Sequence, residues 1–344
     1  MISSYRFLLA SAFSLTVAGA WNTPHLQAAD AAFSSDGKRI YYLDAPQEKG
    51  GALTVLDLES GTVKDSTVPA LAKDGEILAL SRGAKESLLL LTKNHLWRWN
   101  AKTNAAQSIE TAPAGAIYQD VAADAKSGHI VLTTYTEKPE PDSSVHGLYL
   151  KRSESEKAVE VFVRRVSRLS ALTFLPDGSL LFGSDGDLWH GTVDWDTEAE
   201  AGHPRGLLNS YRLAPLATRE STSATPSQIG VQHLAVSHGK VYAEVSRMGG
   251  SGWGDLVRLS APPIVVKGEL NIVDGLKERL DLYSRMLKSV EILSPDQDSE
   301  SFLCTSPDGD AVHFTGHHEE KGRQHYLITK GGKAIFLKTH GAKE

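Results

Sequence analysis

The sequence predicts an all-β fold of repeated four-stranded sheets, and three observations carry that prediction. One phrase recurs at residues 31–42 (AAFSSDGKRIYY), 172–182 (LTFLPDGSLLF) and 303–314 (LCTSPDGDAVHF). Each copy reads as a short apolar strand, a turn on Asp-Gly, and a second strand rich in aromatic or branched residues. Asp-Gly suits a tight turn because Gly accepts positive φ and Asp bonds its own backbone. Weaker units of the same kind fill the intervals between the copies. Finally, 344 residues with a single cysteine have to be held by their core rather than by disulfides.

A four-stranded unit repeated at long intervals is the signature of a β-propeller. Closing the sheets into a ring buries both faces of each sheet and leaves only short edges exposed. Six four-stranded blades are predicted in residues 21–344, with a seventh, degenerate blade inside 195–230 as the alternative. The first unit runs over 29–69, with middle strands at 39–44 and 53–58. The second has strands at 76–81, 87–92, 96–100 and 106–110, and the third has its better strands at 129–137, 147–151 and 158–165. The fourth starts at Ser170 and includes 187–193. The fifth starts near Val231 with strands at 240–247 and 255–260, and the last ends with 323–329 and 333–338.

About fifty residues per unit exceeds the ~40–45 of a four-stranded blade, and two insertions account for the surplus. Residues 195–226 are polar and rich in Gly, Pro, Ser and Thr, which reads as a long loop with at most one edge strand. Residues 271–290 read as an amphipathic helix. Val273, Leu276, Leu280, Tyr283, Leu287 and Val290 recur at spacings of three and four, and Asp274 is placed to cap it. This helix is expected between the third and fourth strands of the fifth blade, with 288–293 as the outer strand.

The first twenty residues read as a secretory signal peptide. Arg6 is their only charge, and the apolar run from Phe7 ends in Ala18, Gly19 and Ala20, an A-x-A cleavage pattern. A periplasmic or secreted location follows as an expectation, with no membrane span after signal removal. A net charge of -6 argues against a nucleic-acid partner, which requires surplus Lys and Arg. Cys304 lies in an apolar strand and reads as a buried structural thiol.

The strand, Pro-Asp-Gly turn, strand phrase, followed by a loop, a strand and a Gly-containing turn, resembles the WD40-like repeat of TolB-type propellers. The resemblance is strong at 33–44 with 51–61 and at 304–314 with 325–332, and fair at 173–187. It implies a periplasmic or secreted propeller, on a fold that hosts adaptors, lyases and protease domains alike. TolB itself fits poorly, because it carries an α/β domain before its propeller. Propeller-bearing serine peptidases fit no better, because no Gly-x-Ser-x-Gly elbow is present.

In the TolB-type arrangement, the loops joining second and third strands ring one mouth of the central channel. Those loops carry His95, His146, Arg247, Trp253, Asp255, His317, His318 and Arg323. Four glycines in 247–255 let the backbone approach a ligand, Trp253 offers a stacking face, and Arg247 suits a carboxylate or phosphate. With Asp255, His95, His146 and Arg323 they form the expected ligand-binding set. His317 and His318 are the candidate ligands of a divalent metal, but a pair on a strand running into a turn reads first as a solvated hairpin tip, and metal binding requires His95 or His146 to join from neighbouring blades. The composition points to no other cofactor. The functional expectation is a monomeric, non-catalytic binding scaffold for a protein or cell-envelope ligand. The alternative is a carbohydrate-active lyase or hydrolase with a histidine-lined site at the channel mouth.

Overall fold

The computed structural model describes residues 31–43, 50–136, 145–161, 169–184, 187–193, 195, 207–213, 229–247, 254–259, 265–266, 290–293, 299–318, 322–330 and 334–340. They form six antiparallel sheets. The first holds β1 (Ala31–Phe33), β2 (Arg39–Tyr42), β3 (Ala52–Asp57) and β4 (Val63–Thr67), and the second β5 (Ile77–Arg82), β6 (Ser87–Thr92), β7 (His95–Asn100) and β8 (Ala105–Thr111). The third holds β9 (Ile117–Ala123), β10 (Ile130–Thr136), β11 (Val145–Lys151) and β12 (Val159–Val161). The fourth holds β13 (Leu169–Phe174), β14 (Leu180–Ser184), β15 (Asp187–Val193) and β16 (Leu207–Leu213). The fifth is built from β17 (Ile229–Ser237), β18 (Lys240–Arg247), β19 (Gly254–Leu259) and β21 (Val290–Ile292). The last is built from β22 (Ser299–Thr305), β23 (Val312–His318), β24 (Gly322–Ile328) and β25 (Ala334–His340).

The expectation of six four-stranded blades needs one correction. Five sheets have four strands, and the fourth gains β20 (Val265–Val266), which pairs with Arg212 and Leu213 of β16. The region 195–230 supplies β16 to that same sheet and the start of β17 to the next. The helix expected at 271–290 and the signal peptide at 1–20 fall outside the described residues, apart from Val290 in β21. The only helical turn among the described residues is a short 3-10 turn at Pro69–Leu71.

The innermost strands β1, β5, β9, β13, β17 and β22 are each neighbours of the next, and β22 closes on β1. They line a central channel, so the fold is an all-β propeller. Strand periodicity explains why. In β6, Leu88 and Leu90 pack toward the first sheet while Leu89 and Leu91 pack toward the third. A strand apolar on both faces has to sit between two other sheets. Tyr41 and Tyr42 divide likewise, Tyr41 against Trp99 of the second sheet and Tyr42 at the seam with the last. Five of the six inner strands also carry a register shift, at positions 78, 119, 171, 232 and 302–303. Such bulges bend a strand and increase its twist, which suits a strand lining a ring.

The seam between first and last sheets is polar at its centre. Tyr42 Oη lies 3.4 Å from His325 Nε2, and His325 Nδ1 lies 3.1 Å from His313 Nε2. All three residues are fully buried, so closure between the described strands rests on packing plus this chain of hydrogen bonds. Cys304 is buried beside it, as a structural thiol should be. Lys151 ties the second and third sheets. Its buried ammonium donates to Glu110 Oε2 at 2.9 Å and also reaches the carbonyl of Glu156.

Candidate functional site

The recurring Asp-Gly phrase builds one mouth of the channel. In the first copy, Ser34 Oγ donates to Asp36 Oδ1 at 2.6 Å and the Lys38 amide donates to the same oxygen at 3.1 Å. The last copy repeats both bonds, with Ser306 Oγ and the Asp310 amide donating to Asp308 Oδ1 at 2.5 and 3.0 Å. In the middle copy the serine follows the turn, and the Ser179 hydroxyl and amide both donate to Asp177 Oδ1. Gly37, Gly178 and Gly309 take φ of 70°, 82° and 75°, the left-handed region that glycine enters without strain. These hydrogen bonds, that of the serine hydroxyl foremost, hold all three carboxyls below the ordinary carboxylate range. The third sheet replaces the turn with Asp124-Ala125-Lys126-Ser127-Gly128, and Asp124 again accepts from its own turn, from the Lys126 amide and the Ser127 hydroxyl.

A cavity of about 430 Å³ opens where the inner strands enter these turns, and all six sheets contribute to its wall. Its wall is apolar at Phe33, Leu80 and Leu172 and polar at Arg82, Asp124, Lys126 and Asp308. Arg82 ends β5, and its Nη1 is buried with no hydrogen-bond partner. Burial pushes the guanidinium pKa down, against the opposing charges of Asp124 and Asp308. A desolvated cation with an unfilled donor, flanked by carboxylates already engaged by their own turns, is a receptor for an anionic or carbonyl oxygen.

The described residues among those expected to form the site lie at the other end of the sheets. His95 starts β7, where its Nδ1 is 2.7 Å from Asp74 Oδ1 and its ring meets Trp97 edge-on. Asp74 also accepts from Thr92 Oγ1 and Trp97 Nε1; these bonds outweigh its burial, so its pKa is lowered. His146 sits opposite Tyr135, ring centroids 5.3 Å apart. In the backbone registers, Arg247 pairs with Ile229, Asp255 with Val245, and Arg323 and Gly322 with His317 and His318. Trp253 and the glycine-rich loop at 248–253 fall outside the described residues. Of the expected residues with described side chains, His95, His146 and Arg323 do not line the described cavity. Arg82 went unremarked in the sequence, although a cation ending the apolar strand ILALSR just before Gly83 is a readable signal.

No family model matches the chain, and no curated protein matches it. Solved structures do. The calcium-binding protein regucalcin from Agrobacterium tumefaciens aligns at 16% identity over 85% of this chain and 82% of that one, with a TM-score of 0.54. A luciferin-regenerating enzyme aligns at 10% identity over 90% and 93%, with a TM-score of 0.56. A gluconolactonase from Xanthomonas campestris aligns at 13% identity over 85% and 84%, with a TM-score of 0.52. The TolB-type resemblance therefore holds at the level of the β-propeller fold. The expectation of a non-catalytic scaffold is corrected, because structures sharing this fold include a gluconolactonase and a luciferin-regenerating enzyme.

A divalent metal does not fit the residues of the described cavity. It offers only two carboxylates, which flank a guanidinium and accept from turn donors at both oxygens of Asp124 and at Asp308 Oδ1, where a cation cage needs about six or more oxygens. Among the described residues no three His, Cys, Asp or Glu side chains gather into a metal-binding group.

Proposed function

We propose that the chain is an enzyme that hydrolyses a lactone or ester of a sugar acid in the channel cavity, with Arg82 binding the substrate's carbonyl or carboxylate oxygen. The observation that carries the reading is the cavity-lining guanidinium whose Nη1 is buried and unbonded. Leaving a charged donor unsatisfied costs about 1–3 kcal/mol or more. A carboxylate, or the oxyanion that forms when water adds to a lactone carbonyl, offsets that cost through charge-assisted hydrogen bonds. In the reaction, water adds to the carbonyl carbon and the ester C–O bond breaks. A carboxylate takes the proton of the water and returns it to the departing alkoxide. Asp124 and Asp308 are the carboxylates whose charge acts on Arg82, which makes them the first candidates for that proton. The apolar wall excludes water from the remainder of the cavity and strengthens each of these interactions. The carbohydrate character of the substrate is supported by the gluconolactonase among the structural neighbours.

Calorimetric titration with gluconate tests the reading. Wild-type protein is expected to bind it, Arg82→Ala to lose at least tenfold in affinity, and Arg82→Lys to recover part of the loss. Equal affinity in all three proteins would remove Arg82 from the site.

A further inference from the structure

A second cavity, of about 460 Å³, opens beside the first, between the third and fourth sheets. Asp124, Lys126 and Pro176 line both, so the two spaces meet at one rim. Trp195 and His129 line the second, their rings stacked with centroids 3.9 Å apart and planes 18° from parallel. The Trp195 carbonyl accepts a hydrogen bond from Arg152 Nη2, and Phe174 lies 6.5 Å from the indole. The indole is thus held in place before any ligand arrives, and a preformed surface loses little entropy on binding. Asp177 also lines this groove, and its carboxylate is fixed by its own turn and held ionised by the Ser179 hydroxyl.

We propose that this groove is a subsite for a second sugar ring, so that the substrate is a disaccharide acid derivative rather than a single sugar acid. The inference rests on the sugar-acid reading of the channel cavity. A pyranose presents an apolar C–H face and an equatorial ring of hydroxyls. An aromatic side chain beside carboxylates and an ammonium complements both features. The order of groups fits a chain of two units: the carboxyl or lactone end at Arg82, the linkage crossing the rim at Asp124 and Lys126, the second ring at Trp195. Each space lies within the ~300–1,000 Å³ of ligand pockets. The groove also explains the position of Lys126, whose side chain serves both spaces in this arrangement.

Gluconate and cellobionate, which carries the same single charge and one extra glucosyl ring, separate the possibilities. Wild-type protein is expected to bind cellobionate at least tenfold more tightly than gluconate. Trp195→Ala should erase that advantage while leaving gluconate affinity unchanged, and Arg82→Ala should weaken both. Asp177→Asn, which keeps the turn's shape, should cut the cellobionate advantage and guards against a folding defect in Trp195→Ala. Equal affinities in wild type, with gluconate still dependent on Arg82, would overturn the subsite and leave the sugar-acid reading intact. Binding of neither ligand would overturn both.

Discussion

Arg82 sits in a place where a cation is costly, half-buried at the end of β5 in a wall it shares with Leu80 and Val121. Its Nη1 finds no partner, and its neighbours Asp124 and Asp308 are occupied by their own turns. A residue retained for binding rather than for stability should be easy to improve upon by removal. Arg82→Met keeps the length of the side chain and deletes the unsatisfied donor. The variant is expected to unfold about 2 °C higher than wild type, corresponding to ~1 kcal/mol or less for a chain of this size. Differential scanning calorimetry decides the point, and a melting temperature several degrees lower would show that Arg82 supports the fold instead.

At the scale of the element, the Asp-Gly turn both ends an inner strand and fixes its own carboxylate, which at Asp308 lines the channel cavity. Asp36, Asp177 and Asp308 have folded pKa values below the ordinary 3.8, chiefly through the serine hydroxyl each accepts from. Their ionised forms contribute stability at every pH above that value, and the contribution disappears as pH falls below it. Thermal stability should therefore show no contribution from these turns to its pH dependence between 7 and about 5 and fall below about pH 4. The Ser306→Ala variant should show a shallower fall, and an unchanged acid limb would remove the turn from the account. These turns also show what was legible in the sequence. The strands could be placed because stretches such as SLLLLT and RIYY are apolar on both faces, a local pattern with one structural meaning. The open end of the channel was not legible, because it depends on which turns carry side chains inward from six separated positions. The Asp-Gly phrase was read as a marker of architecture, and its carboxylates escaped notice for that reason. Histidines such as His95 and His146 stand out in the sequence, and the structure sets them beside Asp74 and Tyr135 at the far end of the sheets.

For the whole molecule, a ring of sheets gives two mouths to one channel, and the two mouths differ in chemistry. One collects Asp124, Asp308, Lys126 and the Arg82 guanidinium, whose Nη1 has no hydrogen-bond partner, around an open cavity. The other carries His95, His146 and Arg323 near the joins of second and third strands. The rigidity that lets the ring hold Arg82 Nη1 without a hydrogen bond comes from its closure. Apolar clusters fill the sheet interfaces, and the Tyr42, His325 and His313 chain joins the last sheet to the first. The measurement that most directly tests the placement of the site compares variants at the two mouths in one assay. Gluconolactone hydrolysis, followed by base uptake above the spontaneous rate, would be measured for wild type, Arg82→Met, His95→Ala and Arg323→Ala. The account predicts a loss of about 10²–10³ in Arg82→Met, the range for removing one oxyanion donor, and rates within about threefold of wild type for the other two. Full activity in Arg82→Met, with activity lost in His95→Ala or Arg323→Ala, would move the site to the opposite mouth and contradict it.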